Sequence, residues 1–358
     1  MTADRKGAMS RITRRQLLLG TLALACSQSH ARRRSATVGY EGREDVRPFI
    51  DTVIAEQGIP RKWVEKILAS GRRSSQAERL MTPSVTPPPR DWTRYRARAL
   101  DEGRLREAVA FQHAHRRTLA RASETFGVPA EIVVAIIGIE TVFGRVMGTF
   151  RTLDVLLTLA FDYPRRSAFY REELAHFLAL GHQGRLDVLR QTGSFAGAIG
   201  LPQFMPSSIR RYALDFDGDG RVDLARSAAD AIGSVARYLH REGWQRDRPV
   251  MLEAIANEAI AERLGRGIAA THDWADVAEL GVRIDGYLSP DTKVVLLDLP
   301  YLQDDGGTNV AYRIGTVNMA AILHYNRSYF YGAAVAEFAA ALRTPAAEPQ
   351  ATPGSTAG

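Results

Sequence analysis

The sequence predicts a mainly α-helical protein with a small β-containing part toward its C-terminal end. Apolar residues recur at helical spacing over 46–54, 93–125 and 317–342, as they do in helices that bury one face. Over 273–313 this pattern gives way to short β-branched segments between Asp and Gly turns, which is typical of a small sheet. With 358 residues, 45% of them hydrophobic, the chain can bury a large core in two or three domains.

The first 31 residues are predicted to be an export signal. A basic stretch over 11–15, which includes a twin-arginine pair, precedes a short apolar stretch over 17–25. The single cysteine, Cys26, follows directly, as in lipoprotein signals whose cysteine becomes the lipidated first residue. Cleavage after Ala31 is the plain secretory alternative. Either way we expect a periplasmic protein with no disulfide and no catalytic thiol.

The charge of the chain suits an anionic polymer but lacks a nucleic-acid signature. The formal net charge is +7, and the first 31 residues contribute +4 of it through five basic side chains against one acidic side chain. The remaining excess of +3 is modest, and no basic and aromatic strip repeats at a regular spacing. We expect no nucleic-acid partner, and we expect a monomer.

A carboxylate ends the most apolar stretch of the chain, AIIGIETVFG over 135–144. Pro129 and Glu131 suit the first turn of a helix. No residue over 132–139 is polar, so a helix here would be buried on all sides; a buried strand is the alternative. Burial raises the pKa of a carboxyl group toward the range of a general acid. Glu140 is therefore a candidate catalytic residue, and a buried Glu paired with an Arg is the structural alternative.

An Asp-rich loop that starts at Asp215 resembles the first part of an EF-hand calcium loop. Carboxylates occupy positions 1, 3, 5 and 9, and Gly220 stands at position 6, where the turn is sharp. Position 12, normally a bidentate Glu, is Arg226. Four like charges this close repel one another without a cation, although an Asp-rich surface turn is the alternative. The candidate ligands on the loop are Asp215, Asp217, Asp219, Asp223 and the backbone carbonyl of Arg221.

Two kinds of segment could contact a sugar polymer. The glycine-rich stretch over 193–208 lacks the spacings of phosphate loops, and its Ser194 and Gln203 suit the wall of a cleft. The segments 161–166 and 325–331 combine aromatic rings with Arg and amide groups, which stack on sugars and bind carboxylates. Taken singly, each segment is explained as well by a buried loop, a helix end or a packing cluster.

Together these motifs resemble the family of membrane-bound lytic murein transglycosylase B, glycoside hydrolase family 103. The resemblance covers about residues 45–342. The motifs follow in one order: Glu140-Thr-x-x-Gly144, Asp162-Tyr-Pro-Arg-Arg166, the 193–208 stretch, the Asp215 loop, 230–236 and Tyr325-Asn326. The resemblance implies a lysozyme-like helical core, flanked by a helical domain and a small β domain.

The resemblance also implies a role for each matching residue. Glu140 matches the family's single catalytic acid, and Asp230 matches a late ligand of structural Ca²⁺, the one cofactor implied. Substrate contacts are implied for Tyr95, Arg165, Arg166, Ser194, Gln203, Tyr325, Asn326 and Tyr331. Two features depart from the family pattern. Leu201-Pro202 replaces the expected Tyr-Gly, and the spacing from Asp215 to Asp230 is one residue longer, which predicts weak calcium binding.

We expect the domains to follow one another in this way. The segments are an export signal over 1–31, a linker over 32–44, an N-terminal helical domain over 45–125, a lysozyme-like core with the calcium loop over 126–245, a β-containing subdomain over 246–313, C-terminal helices that complete the cleft over 314–343, and a disordered tail over 344–358. The tail is too poor in apolar residues to pack.

The implied activity is cleavage of the β-1,4 bond between N-acetylmuramic acid and N-acetylglucosamine in peptidoglycan glycan strands, with 1,6-anhydro ends as products. Ordinary glycosidases use two carboxylates, whereas the sequence offers one buried candidate. One suffices if the muramic acid's own 6-hydroxyl is the nucleophile, because intramolecular attack gains from proximity. The rivals are a hydrolytic muramidase on the same fold and a non-catalytic, calcium-bound peptidoglycan-binding lipoprotein.

Overall fold

A computed structural model describes residues 39–343, and the mainly helical fold with a small sheet is confirmed. A short 3-10 turn, Tyr40–Gly42, opens the described part of the chain. Six helices follow: Arg47–Gln57 (α1), Arg61–Ala69 (α2), Ser75–Met81 (α3), Trp92–Ala99 (α4), Glu102–Ala114 (α5) and Arg116–Phe126 (α6). The proline-rich stretch over 82–91 is neither helix nor strand, because its prolines lack the N–H groups that a helix needs.

The middle of the chain forms five helices and one short pair of antiparallel strands. They are Ala130–Thr141 (α7), Phe150–Arg151 (β1), Thr152–Phe161 (α8), Ser167–His182 (α9), Thr192–Gly193 (β2), Pro206–Tyr212 (α10) and Ala228–Arg241 (α11). The apolar stretch is a helix and not a strand, and all its residues over 132–138 are buried. It packs against α5, α6, α11 and a C-terminal helix over 329–343, so α7 is the centre of the helical core.

The start of the described chain is fixed to the end of α8. The Tyr40 hydroxyl donates to the Asp162 carboxylate, and Arg43 Nη1 lies 2.6 Å from Asp162 Oδ1. Arg43 also lies over the Phe161 ring at 6.0 Å. These contacts are partly buried and join the segment before α1 to the C-terminal end of α8.

A five-stranded antiparallel sheet follows the core. Its elements are Met251–Ile255 (β3), Glu258–Leu264 (α12), His272–Asp273 (β4), Trp274–Glu279 (α13), Arg283–Ile284 (β5), Lys293–Leu302 (β6) and Thr308–Gly315 (β7). The strand order is β4-β6-β7-β3-β5. The short β-branched segments supply β5, β6 and β7, while β3 lies before the segment in which the sequence predicts strands. Its Leu252 pairs with Ile314 of β7, so a long-range contact forms this strand.

Two last helices, Val317–Tyr325 (α14) and Tyr329–Arg343 (α15), return the chain to α7. Asn318 is fully buried and fixes this return. Its Oδ1 accepts from Gln245 N at 2.7 Å, and its Nδ2 donates to Gln245 O and Arg248 O at 2.8 Å. Each polar atom of the Asn318 amide therefore has a hydrogen-bond partner. This side chain joins α14 to Gln245 and Arg248 in the segment that precedes β3.

No single helix within residues 39–343 is both long and apolar enough to cross a membrane. The bent pair α6 and α7, at 114° to each other, reaches that length and composition only when the two are counted together.

Candidate active site

Glu140 lies in the last turn of α7. Residues 132–138 of this helix are buried in the core, whereas Ile139 and Glu140 are partly exposed. No ion pair or ordinary hydrogen bond of its carboxylate is found within residues 39–343, so the alternative of a structural Glu–Arg pair is absent there. A carboxyl group in this position loses hydration and gains no charge partner.

Burial raises the pKa of Glu140 from its ordinary 4.5 to about 7. The Tyr331 hydroxyl acts in the opposite direction by hydrogen bonding to the carboxylate, although the contact falls outside ordinary hydrogen-bond geometry and leaves that buried hydroxyl without another partner. Desolvation is the larger cause. With a pKa of about 7, a substantial fraction of Glu140 holds its proton at neutral pH, which a general acid requires.

Three tyrosines surround this carboxyl group. Tyr331 is 2% exposed, and its ring stacks on that of Tyr325 at 6.3 Å and 15°. The Tyr325 hydroxyl donates to the Pro202 carbonyl, so the Leu201-Pro202 departure from the family pattern is joined directly to this aromatic pair. The pKa of Tyr95 on α4 is raised by burial and by the nearby Glu140. Aromatic rings thus replace polar solvent around the acid.

The chain turns sharply directly after Glu140. Val142 and Phe143 both have left-handed backbone angles, φ 49° and 56°, which are strained for residues other than glycine. Thr141 holds the turn: its Oγ1 lies 3.1 Å from Leu201 O and accepts from Gly144 N at 3.1 Å. The Phe143 ring packs on Gly138, where an added Cβ would lie 2.7 Å from the ring. Such strain is typical of functional sites.

Sequence reasoning missed Gly138 and Thr141 as residues that position the acid. The available signals were a glycine inside an otherwise apolar helix, two residues before Glu140, and a hydroxyl side chain directly after it. Neither signal identifies the contact that the residue makes. Gly138 contacts Phe143 only because the chain turns back after α7, and Thr141 contacts Leu201, which is distant in the sequence.

Gln203 lies on the loop that Thr141 contacts. Its backbone is left-handed, φ 48°, and its Nε2 donates to Gly200 O at 2.9 Å and Met147 O at 3.3 Å. Both amide hydrogens are thereby used, so the carbonyl oxygen Oε1 remains as an acceptor. The bridge between Ile199 and Phe204 closes the loop. Gln203 is thus oriented by the backbone around it, as a ligand-binding amide in a cleft wall would be.

Ser194 follows β2 on the other part of the glycine-rich stretch. Its Oγ accepts from Ala198 N at 3.1 Å and from Ala196 N at 3.3 Å, which leaves the hydroxyl hydrogen for a ligand. Gly193 before it has no room for a side chain, because a Cβ would lie 2.2 Å from Ala198 O. The glycine-rich composition therefore reflects close backbone packing.

The remaining predicted contact residues lie on the surface. Arg165, Arg166 and Asn326 are exposed, and Arg166 extends over the Phe169 ring at 4.3 Å. None of the three forms a hydrogen bond or an ion pair with Glu140. They are placed at helix ends, where side chains can reach a bound polymer.

The expectation of a single buried carboxylate is incomplete, because Glu173 on α9 is 3% exposed. Its Oε2 accepts from Ser207 N at 2.9 Å and its Oε1 accepts from Ser207 Oγ at 2.6 Å. Both oxygens thus hold the first turn of α10. Glu173 has a structural role, whereas Glu140 has no such partners.

The Asp-rich loop brings three carboxylates together. One oxygen each of Asp215, Asp217 and Asp230 lies within 4.8 Å of the other two. Asp230 is 1% exposed and accepts from Phe216 N at 2.8 Å and Asp223 N at 2.7 Å. Burial raises the pKa of Asp230, as does the charge of Asp217. Hard oxygen donors in this arrangement fit Ca²⁺.

The other loop candidates lie outside this group of three. Asp219 Oδ1 accepts from Arg221 N at 2.8 Å. Asp223 Oδ2 is bound by Arg226 Nε at 2.9 Å, so the residue at the position of the usual bidentate Glu neutralises a neighbouring candidate. The loop also contacts the cleft wall through Leu201 N, which donates to Leu224 O at 2.8 Å.

Residues 41–340 match the protein family described as "Transglycosylase SLT domain". The chain is 37% identical over 304 residues to membrane-bound lytic murein transglycosylase B of Escherichia coli (strain K12), a match that covers 83% of this chain and 82% of that protein.

Solved structures of lytic transglycosylases share the fold. The catenated SltB1 of Pseudomonas aeruginosa has a TM-score of 0.77 and 38% identity, over 85% of this chain and 98% of that chain. Escherichia coli Slt35 in complex with calcium has a TM-score of 0.72 and 37% identity, over 84% and 92%. Pseudomonas aeruginosa SltB3 in complex with NAG-NAM-pentapeptide has a TM-score of 0.69 and 28% identity, over 85% and 79%.

The raised pKa of Glu140 predicts a stability difference that depends on pH. A folded-state pKa above the unfolded value gives stability that is complete below about pH 4.5 and is lost as pH rises through about 7. Glu140→Gln has no carboxyl group to titrate at this position. Its unfolding free energy relative to that of wild type should therefore increase by about 1 to 3 kcal/mol from pH 4 to pH 8. Denaturant unfolding at both pH values measures it.

Glu124→Gln, on the exposed face of α6, is the matched control. Its difference from wild type in unfolding free energy should be the same at pH 4 and pH 8. An equal difference between Glu140→Gln and wild type at pH 4 and pH 8 would contradict a raised pKa.

Proposed function

Because the chain belongs to the transglycosylase SLT domain family and is a lytic transglycosylase of peptidoglycan, we propose that Glu140 is its single general acid and base. The observation that carries this proposal is the desolvated carboxyl group at the end of α7, which has a pKa of about 7 and no ion-pair partner. Glu173, the other buried glutamate, has both oxygens occupied by Ser207.

In the first step, Glu140 donates its proton to the oxygen between N-acetylmuramic acid and N-acetylglucosamine. The bond from muramic acid C1 to that oxygen breaks, and the leaving sugar keeps the proton as a 4-hydroxyl group. The acetamido oxygen of the muramic acid stabilises the positive charge that develops at C1, in place of a second carboxylate.

In the second step, the Glu140 carboxylate accepts the proton of the muramic acid's 6-hydroxyl. That oxygen then bonds to C1 and closes the 1,6-anhydro ring, so no water enters the product. Attack within one sugar needs no separately bound nucleophile. Ser194 and Gln203, with Oε1 left as an acceptor, are proposed to orient the sugars, together with Tyr95, Tyr325 and Tyr331 around the acid.

We propose peptidoglycan strands with peptide stems as the substrate, bound across Glu140. SltB3 was solved with NAG-NAM-pentapeptide, a fragment of this polymer. The exposed Arg165, Arg166 and Asn326 are proposed to contact it at the edges of the cleft.

Replacement of the acid tests the catalytic proposal. Glu140→Gln should lower kcat by about 10² to 10⁴ or more, because one group serves as both acid and base, while the fold and sugar binding remain. Mass spectrometry of digested sacculi should detect anhydro ends with wild type and very few with the variant. Glu173→Asp is the control, because it keeps a carboxylate on α9 beside the first turn of α10. Reducing ends in place of anhydro ends would indicate hydrolysis instead.

We propose that Asp215, Asp217 and Asp230 hold one Ca²⁺, with Asp219 and the Arg221 carbonyl available to complete its coordination. A related lytic transglycosylase was solved with calcium. The ion would offset the repulsion among these carboxylates and fix the loop that contacts the cleft wall at Leu201. It takes no part in the chemistry.

Calcium should therefore stabilise the folded protein. With Kd on the order of 10⁻⁴ M, 10 mM Ca²⁺ adds about 2.7 kcal/mol, which raises Tm by about 5 °C. Asp215→Asn should abolish the shift, and Asp304→Asn, in the exposed turn after β6, should keep it. Equal melting curves of wild type in calcium and in chelator would contradict the proposed calcium site.

We propose that the chain is exported and acts in the periplasm, held at a membrane by a lipidated Cys26. Cys26 lies outside the described residues. The proposal rests on its place after the apolar stretch and on the membrane-bound relative.

Cys26→Ala should move the protein from the membrane fraction to the soluble periplasmic fraction, because acyl chains anchor through their buried methylene groups. Fractionation and N-terminal sequencing measure this. A soluble wild type that starts at Arg32 would indicate cleavage after Ala31 instead.

A further inference from the structure

A polar groove of about 950 Å³ adjoins the aromatic residues of the active site. Tyr238, which lines it, has its ring 4.8 Å from the ring of Tyr325. Tyr325 in turn stacks on Tyr331, the neighbour of Glu140. The groove is therefore connected to Glu140 through three tyrosine rings in succession, Tyr238, Tyr325 and Tyr331.

The charged lining of this groove is mainly positive. Its cationic and titratable basic members are Arg166, Arg210, Arg211, Arg327, His176 and His324. The groove has one acidic member, Glu242, and that carboxylate is already engaged. It accepts from the Tyr212 hydroxyl and lies 2.8 Å from His324 Nδ1. An anion in this groove would thus meet unneutralised guanidinium groups.

Three of the four arginines form hydrogen bonds or ring contacts with neutral groups. Arg210 Nη1 donates to Gln57 Oε1 at 2.9 Å and lies 2.7 Å from His176 Nδ1. Arg211 Nη1 lies 3.2 Å from the Tyr212 hydroxyl, and Arg166 covers an aromatic ring. No ion pair of these four arginines with a carboxylate is found in the described part of the chain.

Arg210 is oriented and partly buried without an anion. Burial, then the charges of Arg210 and Arg211, lower the pKa of His176, against the opposing effect of the exposed Glu172. The neutral ring can then accept from Arg210 and hold its guanidinium. Burial and the charge of Arg210 also lower the pKa of the half-buried Arg185, so a second cation lies near Arg210. A partly desolvated cation in this state is stabilised by an anionic ligand.

We propose that Arg210 and Arg211 bind carboxylates of the substrate's peptide stem and so determine preference for stem-bearing glycan. This inference rests on the proposed function, in which muramic acid carries its peptide beside Glu140. An extended peptide of five residues reaches about 17 Å, and it ends in a carboxylate. The planar guanidinium group matches a carboxylate with two parallel hydrogen bonds.

The double variant Arg210→Gln/Arg211→Gln tests this on two defined substrates. One is a NAG-NAM oligomer with pentapeptide stems, and the other is the same oligomer without peptides. The variant should raise KM for the stem-bearing oligomer about tenfold, about 1.4 kcal/mol, and leave kcat/KM for the peptide-free oligomer unchanged. Added salt should reduce the difference.

The matched control is Arg116→Gln/Arg117→Gln, which removes the same charge from two adjacent exposed arginines on α6. It should leave both substrates unaffected. Arg210→Lys separates folding from binding, because it keeps the charge and should recover part of the lost affinity at an unchanged Tm. Arg211→Gln alone changes an exposed side chain and should raise KM about threefold, at the wild-type Tm.

An unchanged KM for the stem-bearing oligomer, or an equal loss on both oligomers at wild-type Tm, would overturn the inference. A wild type that forms no anhydro product from either oligomer would contradict the proposed function instead.

Discussion

A carboxyl group that is desolvated and has no cation beside it keeps its proton to a higher pH than a solvated one does, and the fold around Glu140 maintains both conditions. The apolar helix α7 is buried over residues 132–138 and other helices pack around it, while Glu140 is partly exposed in its last turn. The tyrosines there exclude water without adding charge. The chemistry of the acid thus follows from the packing of its helix.

The same helix end is rigid because several contacts converge on it. Thr141 joins α7 to the loop of Gln203, and the absent side chain of Gly138 lets Phe143 close over the helix. The strained Val142 persists because these contacts over-determine the turn. Gly200 of the same loop approaches Leu224, where an added Cβ would lie 2.6 Å from the carbonyl oxygen. The Asp-rich loop therefore supports the segment of Leu201 and Gln203 through backbone packing.

Periodicity in the sequence predicts α7, α14 and the strands β6 and β7, because their patterns are local. It does not predict β3, whose pairing with β7 is long-range. A buried carboxylate is predicted for Glu140 from its neighbours, whereas the burial of Glu173 depends on Ser207 of a different helix. Likewise, loop spacing suggests four equivalent carboxylates, but Arg226 takes Asp223 out of the group. Such partner choices are set by the tertiary fold.

A lytic transglycosylase faces two opposed electrostatic requirements. Its acid needs a site without cations, because a nearby positive charge would lower the pKa and release the proton. Its peptide-bearing substrate is anionic, and cations favour its binding. The structure separates these requirements in space: the rings of Tyr331, Tyr325 and Tyr238 lie between Glu140 and the groove of Arg210 and Arg211. Charge attraction weakens with distance and with water. The proposed binding of a stem carboxylate by these arginines is therefore compatible with the raised pKa of Glu140.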